Sequence, residues 1–319
     1  MATDHAGGLT RDHVVWAYRL LLDRDPENDD VIGPKLAGSR DTRELRHHLM
    51  TSAEFQDKNR DYAHTNDRTV IIKELGGPGS VRLFVDLSDH VIGLPIVRGH
   101  YEEAEMELMR RTLRQGDIVV DIGAHIGFFT MQMGALVGPR GCVYAFEPFD
   151  ANADLLERSI AENRFGDRVI FQRAAVGAVS GSGMLTFPRE TLNTGGAYLL
   201  RDGTPPLAGN LKQSVPVVCL DDTVTERPVR MIKMDVEGAE PQVLRGARRL
   251  LREDRPIVLS ELHPTQLDRA SGVTAREFLE EVQQAGYRAH RLAGGTVGEP
   301  IEDVPREAVV SVLLVPSTE

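Results

Sequence analysis

Between residues 9 and 59 the apolar positions recur only at helical spacing. Val14, Val15, Tyr18, Leu21 and Leu22 form a stripe behind a Thr10 cap, an acidic turn from Asp23 to Asp30 interrupts it, and Leu45, Leu49 and Phe55 continue it. The pattern predicts a small all-helical module. Its stripe has to be covered, by the rest of the chain or by another copy of it, so a homo-oligomer is among the expectations. The stretch from Arg60 to Arg68 has almost no large apolar residue and reads as a linker. The boundary is placed near residue 65, giving a helical module at 1–65 and a second domain at 66–319.

From Thr69 the period changes. Thr69 to Lys73 and Val81 to Asp86 are β-branched runs flanking Gly76-Gly-Pro-Gly79, which reads as a hairpin. Short apolar runs follow at Asp117–Asp121, Cys142–Phe146, Val169–Gln172, Met231–Met234 and Ile257–Ser260, with helical segments between most of them. Most lack polar alternation, the mark of strands covered on both faces. The expectation is an α/β fold with a doubly wound, mostly parallel sheet, right-handed crossovers and a ligand beyond the carboxyl ends of the strands. Strands near Tyr287–Leu292 and Val309–Val315 should close one sheet edge. An excursion from Gly181 to Asp222, with a Gly-, Pro- and Asn-rich tip at Pro188–Lys212, is long enough to predict a lid over the cleft.

Composition narrows the function. The 319 residues are 41% hydrophobic and 27% charged, as in ordinary globular chains. No run approaches the roughly 18 apolar residues of a membrane span, and Met1 to Gly8 carries no signal-peptide core, so a soluble cytoplasmic protein without a membrane span is expected. A net charge of −11 disfavours nucleic acid or an anionic membrane as partner and suits a neutral or cationic small ligand. Cys142 and Cys219 offer neither a disulfide framework nor zinc spacing and are expected to be buried thiols.

The first core strand ends in Asp121-Ile-Gly123-Ala124-His125-Ile-Gly127, just before an apolar helix. Glycines at such a turn let a ligand approach the backbone, and the helix start offers free N–H groups. Aligned on Gly123, the second and third glycines of the dinucleotide fingerprint are His125 and Phe128, which disfavours a nicotinamide dehydrogenase. Glu147, with Pro148 behind it, stands at the tip of the next strand, where an acid can accept from both ribose hydroxyls. With Asp121 the pattern fits S-adenosylmethionine as cofactor. Further on, Lys233-Met-Asp235-Val-Glu237-Gly238-Ala-Glu240 follows the fourth strand, and the period-two rule points Asp235 and Glu237 into the cleft. Glu240 beside Pro241 has a simpler role as a first-turn helix acid. Glu261-Leu-His263 ends the next strand and makes His263 the candidate base.

Taken together, Asp121 to Gly127, Phe146-Glu-Pro148, Ala175-Val-Gly177, Asn193-Thr-Gly-Gly196, Leu220-Asp-Asp222, Ile232 to Glu240 with Leu244-Arg-Gly246, and Glu261-Leu-His263 resemble the FkbM-type S-adenosylmethionine-dependent methyltransferases over roughly residues 69 to 315. The resemblance implies a class I methyltransferase fold and methyl transfer to a hydroxyl oxygen of a sugar, a glycan or a polyketide-type natural product. His125 departs from it, because the family usually has Asn there. Tyr18-Arg-Leu-Leu-Leu-Asp-Arg24 and Ser52-Ala-Glu-Phe55 resemble a helical domain of unknown function found in proteins of glycan metabolism. The site residues expected on this basis are Asp121, Gly123, Ala124, Gly127, Glu147, Pro148 and Asp235 for the cofactor. His263 is expected as base, Glu237 as its orienter or as an acceptor of the substrate hydroxyl, and Asp235 as a contact to the methionine ammonium. A divalent metal such as Mg2+, held by Asp235, Glu261 and His263, is the alternative way to activate the hydroxyl. A non-catalytic cofactor-binding protein is the reading from another class, opposed by the intact acids at Asp121, Glu147, Asp235 and Glu237.

Overall fold

A computed structural model describes residues 9–22, 24–50, 52, 54–55, 70–76, 80–89, 91–188, 194–201 and 203–317. The linker at 60–68 with its boundary near 65, the hairpin turn at 77–79, and Asn193 lie outside the described residues.

The chain divides into two compact units, 1–68 and 69–319. In the first, α1 (Arg11–Leu22), α2 (Asp29–Ala37) and α3 (Thr42–Met50) close around Val14, Tyr18, Leu22, Ile32, Leu45 and Leu49. Much of the stripe is therefore covered inside its own unit. The missing partner face was hidden in the acidic run. Asn28 accepts from the N–H groups of Asp30 and Val31 at 2.9 and 3.3 Å and so starts α2 there.

The second unit opens with an antiparallel hairpin of β1 (Val70–Leu75) and β2 (Val81–Asp86), followed by α4 (Gly93–Arg98) and α5 (Glu103–Thr112). Next come β3 (Ile118–Ile122), α6 (Phe128–Val137), β4 (Cys142–Phe146), α7 (Asp150–Glu162) and β5 (Val169–Gln172). The outer edge of β2 is covered, because Arg82 and Phe84 donate their N–H groups to Asn163 and Ser159 at 2.8 and 3.0 Å. An excursion holds β6 (Ala175–Val176), β7 (Gly181–Pro188), β8 (Tyr198–Leu199) and β9 (Asn210–Val218), which form a separate four-stranded sheet in the order β6-β9-β7-β8. After α8 (Leu220–Thr223) the chain adds β10 (Val229–Met234), α9 (Glu240–Arg245), α10 (Arg248–Asp254), β11 (Ile257–Leu262), α11 (Pro264–Ser271), α12 (Ala275–Gln284), β12 (Tyr287–Ala293), β13 (Thr296–Pro300) and β14 (Val310–Pro316).

The main sheet has eight strands in the order β13-β12-β14-β11-β10-β3-β4-β5. The five from β11 to β5 run parallel, and β14 pairs antiparallel with β11 and β12. Alternation sends Val120, Ile122, Tyr144 and Phe146 into one core and Val119, Val143 and Ala145 into another on the opposite face. Both faces being covered explains the unbroken apolar runs. Chain order reverses between β3 and β10, and the carboxyl ends of these two neighbours are the expected ligand position. Cys142 and Cys219 are free and half-buried rather than fully buried.

Candidate active site

The switch point is held together by backbone. The Asp235 N–H donates to the Ile122 carbonyl at 3.0 Å, and a Cβ added at Gly123 (φ +75°) would sit 1.9 Å from the Asp235 carbonyl oxygen. No larger residue fits there. Beside this junction lies a cavity of 470 Å³, within the range of small-ligand sites. Gly123, Ala124, His125, Glu147, Pro148 and Asp235 line it, joined by Glu237 and Glu261. The structure thus brings most of the expected site residues together.

Three expected residues do not line it. Asp121 lies one position inside β3, fully buried, its Oδ2 accepting from the Thr130 hydroxyl at 2.6 Å and its Oδ1 without a partner. Gly127 caps α6 below the loop with φ +94°. His263 leads into α11, its Nδ1 buried and without a hydrogen bond, while Glu261 of the same strand tip reaches the cavity. The hard-ligand set of Asp235, Glu261 and His263 is therefore not assembled, and among the described residues no group of three His, Cys, Asp or Glu side chains could hold a metal ion. The donors do not fit Mg2+.

Glu147 receives the N–H groups of His125 and Phe149, at 2.8 and 2.9 Å. Those bonds fix it between the two strand tips and leave carboxylate lone pairs for a ligand. Burial nonetheless raises its pKa to about 7. Glu237 takes the left-handed conformation, φ +52°, and burial with the charges of Asp235 and Glu261 pushes it up to about 8. Glu261 rises to about 7, through burial and Asp235. One buried cation faces them. Lys233 donates to Asp235 at 3.2 Å and stands 4.9 Å from the Phe129 ring centroid. Burial opposes its charge, but Asp235 and Asp121 outweigh that and keep its pKa above the ordinary lysine value.

Glu240 does more than a first-turn acid. It is buried, accepts from the N–H groups of Gly238 and Val236 at 3.3 and 3.4 Å, and so supports the turn that carries Asp235 and Glu237. Sequence reasoning also missed Tyr101 and Glu102, which line the cavity from the segment before α5. No periodicity marks them; only the unusual Tyr-Glu-Glu step into a helix was available as a signal. The excursion contributes Leu185, Gly195, Ala197, Tyr198 and Leu199 to the wall, and so encloses the cavity as the lid reading expected.

A glycine turn at a switch point with an acid on the neighbouring strand tip defines a nucleoside-type site in a doubly wound fold. The sequence model of the methyltransferase FkbM domain matches residues 121–289, about half of the chain. The chain belongs to the FkbM methyltransferase family. It is 32% identical over 160 residues to the 31-O-demethyl-FK506 methyltransferase FkbM of Streptomyces tacrolimicus, covering 42% of this chain and 60% of that protein. It is 30% identical over 144 residues to Methyltransferase 1 of Beauveria bassiana, covering 40% of this chain and 57% of that protein. The match spans about three-fifths of the length of these curated relatives. Among solved structures, the FkbM methyltransferase of Methylobacillus flagellatus aligns over 94% of this chain and 58% of that one, with 16% identity and a TM-score of 0.40. Among the described residues no helix is long and apolar enough to cross a membrane.

Proposed function

We propose that the chain is an S-adenosylmethionine-dependent O-methyltransferase whose acceptor is a hydroxyl of a sugar or glycan. The observation that carries this reading is one cavity that joins the Gly123 turn and Glu147 to a wall of carboxyl groups at Asp235, Glu237 and Glu261. The residues fit an adenosyl cofactor. Gly123 leaves no room for a side chain beside the Asp235 carbonyl, Glu147 keeps lone pairs for ribose hydroxyls, and Asp235 lines the cavity where an ammonium group could reach it. The chemistry supplied by that group is a methyl carbon made electrophilic by a sulfonium sulfur, which keeps the electron pair of the broken S–C bond as the acceptor oxygen takes the methyl.

The chain must align the hydroxyl and receive its proton. Glu237 suits the second task better than His263, because it lines the cavity and, in its ionised form, its pKa of about 8 makes it a stronger base than an ordinary carboxylate, most effective at and above that pH. Lys233 holds Asp235 in place and limits the repulsion among the acids. The O-methylation for which the Streptomyces relative is named and the apolar cavity residues Val91, Ile92 and Pro95 support a second reading, in which the acceptor is a hydroxyl of a polyketide-type product.

The test is incubation of the purified chain with methyl-labelled S-adenosylmethionine and panels of glycosides and hydroxylated polyketides. Mass spectrometry should find O-linked label and an equal amount of S-adenosylhomocysteine. Calorimetry showing no binding of S-adenosylmethionine would refute the cofactor assignment itself.

A further inference from the structure

We infer that the acceptor is selected by a wall outside the family-matching region, in which Glu102 and Tyr101 form a hydroxyl-binding subsite for an uncharged, diol-bearing acceptor. The inference rests on the O-methyltransferase reading and adds to it the residues that choose the substrate.

The family match begins at residue 121, yet Val91, Ile92, Pro95, His100, Tyr101 and Glu102 line the same cavity as Gly123 and Glu237. The glycine turn and Glu147 serve the cofactor side, so this earlier segment is left to the acceptor. Its geometry is specific. Glu102 sits at the N-terminus of α5 with φ +49°, a left-handed conformation that strains a side-chain-bearing residue. The helix still takes its first bond from Glu102, through the Met106 N–H at 3.0 Å, so the strain sets the direction of the side chain without breaking the helix. Next to it, the Tyr101 ring stands edge-on to Phe128 with centroids 5.1 Å apart and tilts against Phe129 at 6.5 Å. These three rings give the cavity an aromatic wall.

Partner accounting points the same way. Buried polar groups are almost always hydrogen-bonded. The neighbouring acid Glu105 obeys the rule, accepting from the Ser311 hydroxyl at 2.6 Å. Three polar ends that line the cavity, the Tyr101 hydroxyl and the carboxyl groups of Glu102 and Glu261, are only partly buried and border the space a ligand would fill. Glu261 pairs in register with Ser311, which places it beside the strand that holds Glu105. A ligand with adjacent hydroxyls would complete all three groups, with its carbon skeleton against the rings. A cation is a poorer match. Burial and Glu105 raise the pKa of Glu102 to about 8, so at neutral pH it carries a proton and both donates and accepts, as a hydroxyl requires.

The experiment gives the full chain labelled S-adenosylmethionine with neutral methyl glycosides and with their 2-amino-2-deoxy counterparts. The expected result is transfer to a neutral glycoside in preference to its amino counterpart. Glu102→Ala should then raise KM for that glycoside about tenfold, the scale of a lost hydrogen bond, with kcat little changed. Glu102→Gln, neutral and of the same shape, should recover most of the loss. Affinity for S-adenosylhomocysteine, read by calorimetry, should match wild type in both variants. Unchanged KM in Glu102→Ala would overturn the role of Glu102 and leave the methyltransferase reading intact. Preference for the amino sugars, with Glu102→Gln as impaired as Glu102→Ala, would overturn the uncharged-acceptor claim. Transfer to polyketide hydroxyls alone would also overturn it, while failure to bind S-adenosylmethionine would strike the underlying function instead.

Discussion

Replacing Glu237 by Gln keeps the shape and the left-handed backbone of the residue and removes its charge, so the variant isolates the electrostatic cost of the site. In the fold Glu237 is raised from 4.5 to about 8 by burial, then by Asp235 and Glu261. A carboxyl raised on folding is protonated in the native state over a pH range where the unfolded chain has already lost the proton. Stability is therefore fully present below about pH 4.5 and declines as pH rises towards 8. The full shift corresponds to about 5 kcal/mol at 1.36 kcal/mol per pKa unit. The acids of the cavity share that shift, and water entering the open side screens it, so about 2 kcal/mol is the expected gain for Glu237→Gln above pH 8. For a domain of this size that is a rise in Tm of about 4–8 °C. Thermal melts without cofactor at pH 4.5, 6.5 and 8.5 provide the assay. The difference should be near zero at the lowest pH and largest at the highest. A variant that is destabilised at pH 8.5, or equally stabilised at all three values, would refute the electrostatic account of the site.

Three further outcomes follow from the same geometry. Glu147→Ala should weaken S-adenosylmethionine binding by about 1.5–3 kcal/mol in calorimetry, or about 10- to 100-fold, and the wild type should not bind NAD. Glu237→Gln should lower kcat by roughly 10²- to 10⁴-fold, whereas His263→Ala should keep most of the wild-type kcat; the opposite pattern in steady-state assays would restore His263 as base. Lys233→Met leaves Asp121 buried without its neighbouring cation and should cost about 3–5 kcal/mol in urea unfolding at pH 8, and less as the pH is lowered, because burial already raises the Asp121 pKa.

The parallel sheet was legible because strands covered on both faces leave unbroken apolar runs, as in Cys142–Phe146. The cofactor side of the site was legible for a related reason. Gly123 and Glu147 sit at strand tips, where sequence position translates directly into spatial position. Asp235 and Glu237 were read by the same rule, although the strand ends at Met234 and it is the turn that delivers both to the cavity. The rule misled at Glu261 and His263. Two residues of equal parity part company when the chain leaves the strand, because His263 already turns into α11. Tyr101 and Glu102 were illegible for another reason: no spacing relates them to the strand tips they face, and only tertiary packing of α5 brings them there.

The turn after β10 shows how backbone packing can hold a cluster of acids together. Its residues would repel one another and spring apart if the backbone were free. Gly238, at φ +95°, is packed so closely on α11 that a Cβ would lie 2.2 Å from the Gln266 carbonyl oxygen, and its own carbonyl accepts from the Ser271 hydroxyl at 2.6 Å. Below, the Glu240 carboxylate receives two N–H groups of the same turn. The turn is thus clamped from two sides, and burial, with the repulsion from Asp235 added to it, appears as raised pKa values at Glu237, Glu240 and Glu261. Rigidity converts burial and charge crowding into basicity. A carboxylate in that state takes a proton from an aligned hydroxyl more readily than one in water, which is what the proposed methyl transfer to an alcohol would ask of the protein.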